Sequence, residues 1–180
     1  MEVLPTALPD VLLVKPQVWS DARGFFLESW NERSFEHAGL NIRFRQDNHS
    51  RSIRNVLRGL HYQLNRPQGK LVRCARGVIF DVAVDLRRSS PTFARWVGVE
   101  LSGVNNHMLW IPPGFGHGFL VLGDEADVHY KASELYDAHS DRVVHWNDPE
   151  IAVKWPLSAT PVLSAKDAGA PQLEKAELFN

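Results

Sequence analysis

Three features of the sequence predict a mainly β protein, folded as an antiparallel sandwich or barrel. Apolar residues recur at every second position over short runs, which is the spacing of one face of a β-strand. Clusters of Gly, Pro, Asn or Ser separate these runs, and only one stretch of the N-terminal part has clear helical signals. The runs of strand type cover residues 78–87, 93–101, 108–111, 117–122 and 127–133.

The predicted N-terminal helix covers residues 31–38. Asn31 can cap its first turn, Glu32 falls in that turn, and Gly39 can end the helix. This combination of start and stop signals predicts a short helix ahead of the strand-rich region.

The strand over residues 78–87 shows the clearest alternation. Its even-numbered positions from Val78 to Leu86 are all apolar, so we predict one apolar face. After Trp155 the chain becomes irregular, and a short helix is predicted near residues 173–178. We therefore expect one domain over residues 1–180, with about 156–180 as a C-terminal extension packed on the barrel.

Composition excludes several classes of protein. The chain has 180 residues, 44% of them hydrophobic, and a chain of this length can bury roughly 70% of its unfolded surface. The net charge of -1 and the single Cys74 argue against a nucleic-acid coat protein, an intramolecular disulfide and a cysteine zinc cluster. No apolar run approaches the roughly 18 residues of a membrane span, and the N-terminus lacks the basic start of a signal peptide. We expect a cytoplasmic protein without a membrane or nucleic-acid partner.

Charge is concentrated in one segment. Between Arg43 and Arg76 there are nine basic residues and only one acid, Asp47. The segment could form a solvated basic face, a nucleic-acid surface or a pocket for a small anion. Strand-like apolar residues, rather than stacking aromatics, separate the basic residues, which disfavours nucleic acid. The basic residues are Arg43, Arg45, Arg51, Arg54, Arg58, Arg66, Lys70, Arg73 and Arg76.

A Pro-x-Gly-x-x-His pattern ends at His117 and resembles the second motif of cupin barrels. The turn is expected to deliver His117 onto a strand whose inward face continues with Phe119 and Val121. Metal-binding cupins also need a His-x-His pair with a downstream Glu, whereas the only candidate segment here offers His61 alone. Two histidines without a matching carboxylate are poor support for a first-row metal, so we predict a barrel without a metal.

The two histidines therefore need another role. Each could be a hydrogen-bonded core residue. His61, however, follows Arg58 within the basic segment, and Lys70 comes nine residues later on a predicted neighbouring strand. Several cations converging in a barrel are costly without an anionic occupant, because buried charges must be paired. The pattern favours a pocket for an anion in which proton transfer takes place.

A series of motifs, in order and nearly without gaps from about residue 3 to residue 173, resembles the dTDP-4-dehydrorhamnose 3,5-epimerase family. An N-terminal signature at 21–28 agrees with the same family. The matching segments are Arg58-Gly59-Leu60-His61-Tyr62-Gln63, Lys70-Leu71-Val72-Arg73, Asp81-Val82-Ala83-Val84-Asp85-Leu86-Arg87, Ser89-Ser90-Pro91-Thr92, Leu109-Trp110-Ile111-Pro112, Gly116-His117-Gly118-Phe119, Trp146-Asn147-Asp148-Pro149 and Ser164-Ala165-Lys166-Asp167.

The resemblance implies a cupin-like jelly roll that works as a homodimer and needs neither a metal nor another cofactor. It implies a substrate, dTDP-4-dehydro-6-deoxy-D-glucose, in which C3 and C5 flank the 4-keto group and are both inverted. The product is dTDP-4-dehydro-L-rhamnose, in dTDP-L-rhamnose biosynthesis. Removing a proton next to a ketone requires a base and a group that stabilises the enolate oxygen. Inversion then requires reprotonation from the opposite face.

The resemblance assigns four catalytic residues. His61 is the base, since an imidazole pKa of about 6.5 suits proton abstraction near neutrality. Asp167 orients it, Lys70 stabilises the enolate oxygen, and Tyr130 delivers the proton from the other face. From the residues alone, a turn carboxylate is favoured for Asp167 and core packing for Tyr130, and Lys70 fits a solvated lysine equally well.

The resemblance also assigns the binding residues. Arg58, Arg23, Gln46 and Asn48 correspond to positions that hold the pyrophosphate and the sugar, and two aromatic residues enclose the thymine. In the family the N-terminal arm of the partner subunit completes the site, which makes the dimer part of it. The full set of predicted binding residues is Trp19, Arg23, Phe26, Glu28, Gln46, Asp47, Asn48, Arg58, Lys70, His117, Tyr136, Asp141 and Lys166.

Two alternatives stay open. Relatives in antibiotic-sugar pathways epimerise only C3 or only C5 with nearly the same residues, so this chain could be a single-carbon epimerase. A non-catalytic jelly roll that binds nucleotide sugars would keep the arginine and aromatic positions without needing the catalytic set. The sequence also departs from the family at Asp141, where most members have Glu. A contact made there is expected to be shorter or water-mediated.

Overall fold

The computed structural model describes residues 1–180 and consists of thirteen strands and three short helical segments. The strands are β1 (Glu2–Pro5), β2 (Leu12–Lys15), β3 (Val18–Asp21), β4 (Gly24–Leu27), β5 (Gln46–Ile53), β6 (Leu57–Gln63), β7 (Lys70–Arg76), β8 (Val78–Asp85), β9 (Trp96–Ser102), β10 (Met108–Ile111), β11 (Phe115–Val121), β12 (Glu125–Ala132) and β13 (Asp141–Val143). The helices are α1 (Glu32–His37), α2 (Ala165–Ala168) and a 3-10 turn, Leu173–Lys175.

The strands form two antiparallel sheets that face each other. The six-stranded sheet has the order β1-β2-β10-β7-β12-β5, and the five-stranded sheet has the order β13-β6-β11-β8-β9. Strands β3 and β4 form a separate hairpin. Every pairing between these strands is antiparallel, and the predicted class of a mainly β, cupin-like jelly roll is confirmed. No helix is long and apolar enough to cross a membrane.

The main core lies between the two sheets. Fifteen buried side chains fill it, with Val72 of β7 and Val128 of β12 on one side and Ala83 of β8 on the other. Phe119 and Val121 of β11 belong to this core, as predicted for the inward face of the strand that carries His117.

Strand β8 is buried on both faces, which corrects the prediction of a single apolar face. Val82 and Val84 point outward, yet they pack in a second core of thirteen buried residues that also contains Trp155. Ile79 and Ala83 point inward to the main core. The chain from Val144 onward covers the outer side of the five-stranded sheet, so the covering segment begins earlier than the predicted boundary.

Helix α1 follows the sequence signals closely. The side chain of Asn31 accepts a hydrogen bond from the backbone N–H of Ser34 at 3.2 Å, and Gly39 follows the last turn with a φ of +83°. Phe35 is buried against Trp110 on the outer side of the six-stranded sheet. Near the C-terminus, the helix predicted at 173–178 is only a single 3-10 turn.

Candidate active site

Strands β6 and β11 bring the two predicted histidines together. His61 and His117 occupy opposite positions in the antiparallel pair. The strands approach closely because Gly59 lacks a side chain. A Cβ at Gly59 would lie 2.5 Å from the carbonyl oxygen of His117, and its φ of +113° also favours glycine. The Arg-Gly-Leu-His segment thus sets the spacing of the two imidazoles.

His61 forms a pair with Asp167 of helix α2. The distance from His61 Nε2 to Asp167 Oδ1 is 2.5 Å. Asp167 is buried, and the capping Ser164 donates to its other oxygen at 2.7 Å. Burial alone would raise the pKa of Asp167, but the hydrogen bonds from His61 and Ser164 outweigh it and the pKa is lowered. The carboxylate therefore holds the imidazole by Nε2 and leaves Nδ1 for a substrate proton.

Lys70 is buried beside this pair. Its Nζ lies 3.4 Å from the carbonyl oxygen of His61 and 5.9 Å from the ring centre of Tyr130. Burial lowers the pKa of Lys70 to about 8, opposed by the negative charges of Asp141 and Asp81. At neutral pH the amine is still mostly an ammonium ion, and it makes no ion pair within hydrogen-bond distance.

Tyr130 approaches the same space from β12. Its ring lies edge-on to that of His117, with 6.5 Å between ring centres. The hydroxyl makes no hydrogen bond within the chain. Burial raises the pKa of Tyr130, while the positive charge of Arg58 opposes the change. The phenol is therefore protonated at neutral pH and can donate a proton.

His117 is held by a second carboxylate, Asp81 of β8. The distance from His117 Nε2 to Asp81 Oδ1 is 2.8 Å, and both side chains are buried. Burial lowers the pKa of His117 despite the charge of Asp81, so the imidazole is neutral near pH 7. Sequence analysis did not single out Asp81, although a carboxylate in the middle of an apolar strand was a visible signal.

Five of the predicted binding residues form one hydrogen-bonded chain. Asp141 accepts from Lys166 at 2.5 Å and from the Tyr136 hydroxyl at 3.0 Å. The backbone N–H of Tyr136 donates to Gln46 at 2.8 Å, and the Gln46 amide donates to Asn48 at 2.9 Å. Asp141 thus makes its contacts directly despite being shorter than Glu.

Arg58 on β6 is oriented without a carboxylate. Its Nε donates to the Ser52 hydroxyl at 3.0 Å, and a terminal nitrogen lies 3.4 Å from the carbonyl oxygen of Arg51. The guanidinium makes no ion pair, so its charge is available for an anion such as a phosphate.

The sequence predicted that several arginines of the basic segment converge in the barrel. For most of them this prediction is wrong. Five make ion pairs with carboxylates elsewhere on the surface, as in a solvated basic face, and only Lys70 and Arg58 lie near the histidines. The five pairs are Arg45–Glu134, Arg51–Asp127, Arg54–Asp124, Arg66–Glu134 and Arg76–Glu125.

Asp47 lies apart from the other predicted binding residues of β5. Successive side chains of a strand point to opposite faces, and Asp47 faces outward between Gln46 and Asn48. It pairs with Lys131 at 2.9 Å and its side chain is 72% exposed.

The β3–β4 hairpin carries the remaining predicted residues away from the cavity of its own chain. Trp19 and Phe26 pack on each other, with ring centres 5.9 Å apart, and are 51% and 65% exposed. Arg23 pairs with Asp21 at the turn, and Glu28 accepts hydrogen bonds from the amide of Asn31. None of them contacts the histidine cavity, which is the space between His61, Lys70, His117 and Tyr130, within the chain.

Comparison with known proteins agrees over nearly the whole chain. A family model described as dTDP-4-dehydrorhamnose 3,5-epimerase matches residues 5–175. The dTDP-4-dehydrorhamnose 3,5-epimerase of Salmonella typhimurium is 54% identical over 180 residues, covering 99% of this chain and 98% of the relative. A crystal structure of the Legionella pneumophila dTDP-6-deoxy-D-glucose-3,5-epimerase, in complex with dTDP-4-keto-L-rhamnose, superposes with a TM-score of 0.96 at 45% identity. It covers 99% of this chain and 97% of that one.

A relative with a narrower activity is also similar. The dTDP-4-dehydrorhamnose 3-epimerase of Streptomyces niveus is 40% identical over 178 residues, covering 98% of this chain and 86% of the relative. The match of the family model over most of the sequence, with relatives above half identity, decides the family. This chain belongs to the dTDP-4-dehydrorhamnose 3,5-epimerase family.

Proposed function

We propose that this protein inverts C3 and C5 of dTDP-4-dehydro-6-deoxy-D-glucose and forms dTDP-4-dehydro-L-rhamnose, in dTDP-L-rhamnose biosynthesis. One observation carries the proposal beyond family membership. The His61–Asp167 pair and the Lys70 ammonium lie beside Tyr130, whose hydroxyl makes no hydrogen bond within the chain. These are the base, the enolate stabiliser and the proton donor that inversion next to a ketone requires.

The reaction begins with proton abstraction. Nδ1 of His61 takes the proton from the carbon next to the ketone, and the electron pair of the broken C–H bond forms an enolate whose oxygen carries the charge. The ammonium of Lys70 stabilises that oxygen, and Asp167 stabilises the imidazolium. No electrons are gained or lost overall, so the step needs no redox cofactor, and the Lys70 ammonium supplies the positive charge that the enolate requires.

The reaction ends with reprotonation from the opposite face. The enolate collapses to the ketone as the same carbon takes the proton of the Tyr130 hydroxyl. His61 then loses its proton and Tyr130 regains one, with the solvent as the route of exchange. The second carbon repeats the sequence after the sugar has presented its other C–H bond to His61.

Binding of the nucleotide engages residues of two subunits. Arg58, oriented by Ser52, is suited to the pyrophosphate, and the chain of hydrogen bonds that ends at Tyr136 is suited to the sugar and base. The exposed Trp19 and Phe26 lie on the hairpin and do not contact the histidines of their own chain. We therefore infer a homodimer in which the hairpin of one subunit completes the site of the other, in a cytoplasmic enzyme.

Isotope exchange tests the reaction. The purified protein is incubated in D₂O with dTDP-4-dehydro-6-deoxy-D-glucose and followed by proton NMR, with the L-sugar product trapped by a reductase. Deuterium at both C3 and C5 is the expected result. Exhaustive chelation should leave the rate unchanged, and a loss of activity that zinc or iron restores would contradict the cofactor-independent mechanism.

The similarity to the Streptomyces niveus 3-epimerase supports a second candidate, inversion at one carbon only. The same spectra distinguish it, because deuterium would enter C3 or C5 alone and the mechanism would stand. Binding of the nucleotide sugar without exchange at either carbon would instead indicate a non-catalytic jelly roll. The assigned roles of His61 and Tyr130 would then fail together.

A further inference from the structure

Two buried carboxylates lie on the inner face of β8, and their surroundings differ. Asp85 accepts hydrogen bonds from the Arg87 guanidinium, Ser90 and Thr92, at 2.5 to 2.9 Å. Asp81 is equally buried but has one partner, His117, and its Oδ2 makes no hydrogen bond at all. A fully buried carboxylate with an unpaired oxygen is costly to the fold.

Asp81 lies close to Lys70, because its partner His117 is opposite His61, and the carbonyl oxygen of His61 is 3.4 Å from the Lys70 Nζ. Burial lowers the pKa of Lys70, and the carboxylates of Asp141 and Asp81 oppose that change. Asp141 already accepts hydrogen bonds from Lys166 and Tyr136, so its charge is shared with a second cation. Asp81 has no cation as a hydrogen-bond partner. It is therefore the carboxylate near Lys70 that no other positive charge neutralises directly.

The same carboxylate determines where His117 carries its proton. A carboxylate accepts hydrogen bonds and cannot donate them, so the 2.8 Å contact requires the proton on Nε2 of His117. The neutral ring then presents the lone pair of Nδ1, which makes no hydrogen bond within the chain. A lone pair at that position can accept a hydrogen bond from a hydroxyl group of the sugar.

We propose that Asp81 is a positioning residue of this site, which keeps Lys70 cationic by its negative charge and fixes the proton of His117 on Nε2. The proposal rests on the proposed epimerase function, because the cation matters only if Lys70 stabilises an enolate. Asp81 itself does not touch the reacting carbons. It acts through the two side chains that border the cavity.

The expected pH dependence follows from the groups around Lys70. Activity requires the ammonium form, so kcat/KM falls as the pH rises through the pKa of Lys70. Removing the charge of Asp81 lowers this pKa further, and the alkaline limb moves to lower pH. His117 stays neutral in both cases, because loss of the same charge lowers its pKa too. The groups that face Lys70 are Asp81 of β8, Asp141 of β13, Lys166 of α2, His117 of β11, Tyr130 of β12 and the His61 carbonyl group of β6.

Asp81→Asn tests the charge with little change of shape. We expect the alkaline limb of kcat/KM to move down by about one pH unit, as for loss of an opposite charge a few ångströms away. Titration of the Lys70 Cε signal by carbon-13 NMR in the ligand-free protein should move equally. Asp85→Asn is the matched control. It removes a buried carboxylate from the same strand and should lower the melting temperature without moving the Lys70 titration.

The outcomes separate this proposal from the proposed function. An unchanged Lys70 titration in D81N would overturn the charge role, whether or not the protein proves to be an epimerase. A wild-type protein without isotope exchange would overturn the function and leave the titration result standing. Nitrogen-15 NMR of His117 between pH 6 and 8 should show the proton on Nε2, and a proton on Nδ1 would overturn the second role. If D81N does not fold, Asp81→Ser removes the same charge in a smaller side chain.

Discussion

The histidine cavity and the β3–β4 hairpin differ in the burial of their side chains and in the contacts that hold them. In the cavity, each of the two histidines is oriented by a buried carboxylate from a distant part of the chain, Asp167 for His61 and Asp81 for His117. On the hairpin, Trp19 and Phe26 are exposed and contact mainly each other. The difference teaches that one chain by itself brings the proposed catalytic residues together, whereas it leaves the aromatic residues of the hairpin on an open surface.

The largest effect is expected in the cavity, from His61→Asn. The variant keeps a polar side chain of similar width but removes the base. Loss of a general base lowers rates by about 10²–10⁴-fold, and exchange at both carbons should fall together. Affinity for dTDP should be almost unchanged. His139→Asn, at an exposed site, is the control, and exchange in H61N near the wild-type rate would move the base elsewhere.

Tyr130→Phe should separate two reactions that His61→Asn abolishes together. Abstraction and return of a proton on one face need only His61, so exchange into the starting sugar should survive better than inversion. We expect inversion to fall by about 10²-fold or more, the contribution of one acid–base group. Comparing deuterium in recovered substrate with deuterium in product measures the split. A parallel loss of both would show that Tyr130 is not a separate acid.

An experiment with mixed dimers tests the role of the β3–β4 hairpin. Trp19→Ala should raise KM by roughly 10-fold while kcat changes little, since truncation of an aromatic anchor typically costs more than about 1 kcal/mol of binding. Co-expressed with H61N, it forms mixed dimers. If the hairpin serves the partner, one site of each mixed dimer has an intact His61 and an intact Trp19. Active sites with the wild-type KM should therefore appear, and their absence would place the hairpin at its own chain's cavity.

Arg58→Ala should weaken binding of the nucleotide rather than catalysis. The loss of affinity for dTDP should be clear at low salt and shrink as ionic strength rises, because screening weakens the attraction that the variant has lost. Isothermal titration calorimetry at two salt concentrations measures it. Ser52→Ala should give a smaller loss in the same direction, and equal affinities of wild type and R58A at low salt would refute the phosphate role.

The sequence predicts the fold best where a strand stands out as a short run between turn residues. Strands β10, β11 and β12 were located as such runs, and α1 from its cap. Strand β5 was not, because its sequence is polar on both faces: one lines the cavity and the other carries surface ion pairs. The strands β1 to β4 have four residues each, too few for a period to be visible.

The positions of the site residues could be predicted from the sequence, but not the contacts that hold these residues in place. Family motifs located His61 and Asp167, while the residues alone favoured a turn carboxylate for Asp167. Helix α2 has only four residues, so no periodicity marks it. Asp167 is 106 residues away from its partner His61 in the sequence, and only the fold brings the two together. Asp81 was missed for a related reason, since only the sheet pairing brings it against His117.

The covering of the five-stranded sheet by the chain after Val144 ties the site to one cooperative unit. This segment packs Trp155 and Leu173 on the outer core and also carries Asp167 to His61. Sub-global opening of the segment would separate the two partners while the inner core between the sheets stayed closed. Slow amide exchange in residues 144–176 would thus report how long the imidazole stays oriented, and the lifetime of that unit would limit the fraction of competent enzyme on warming.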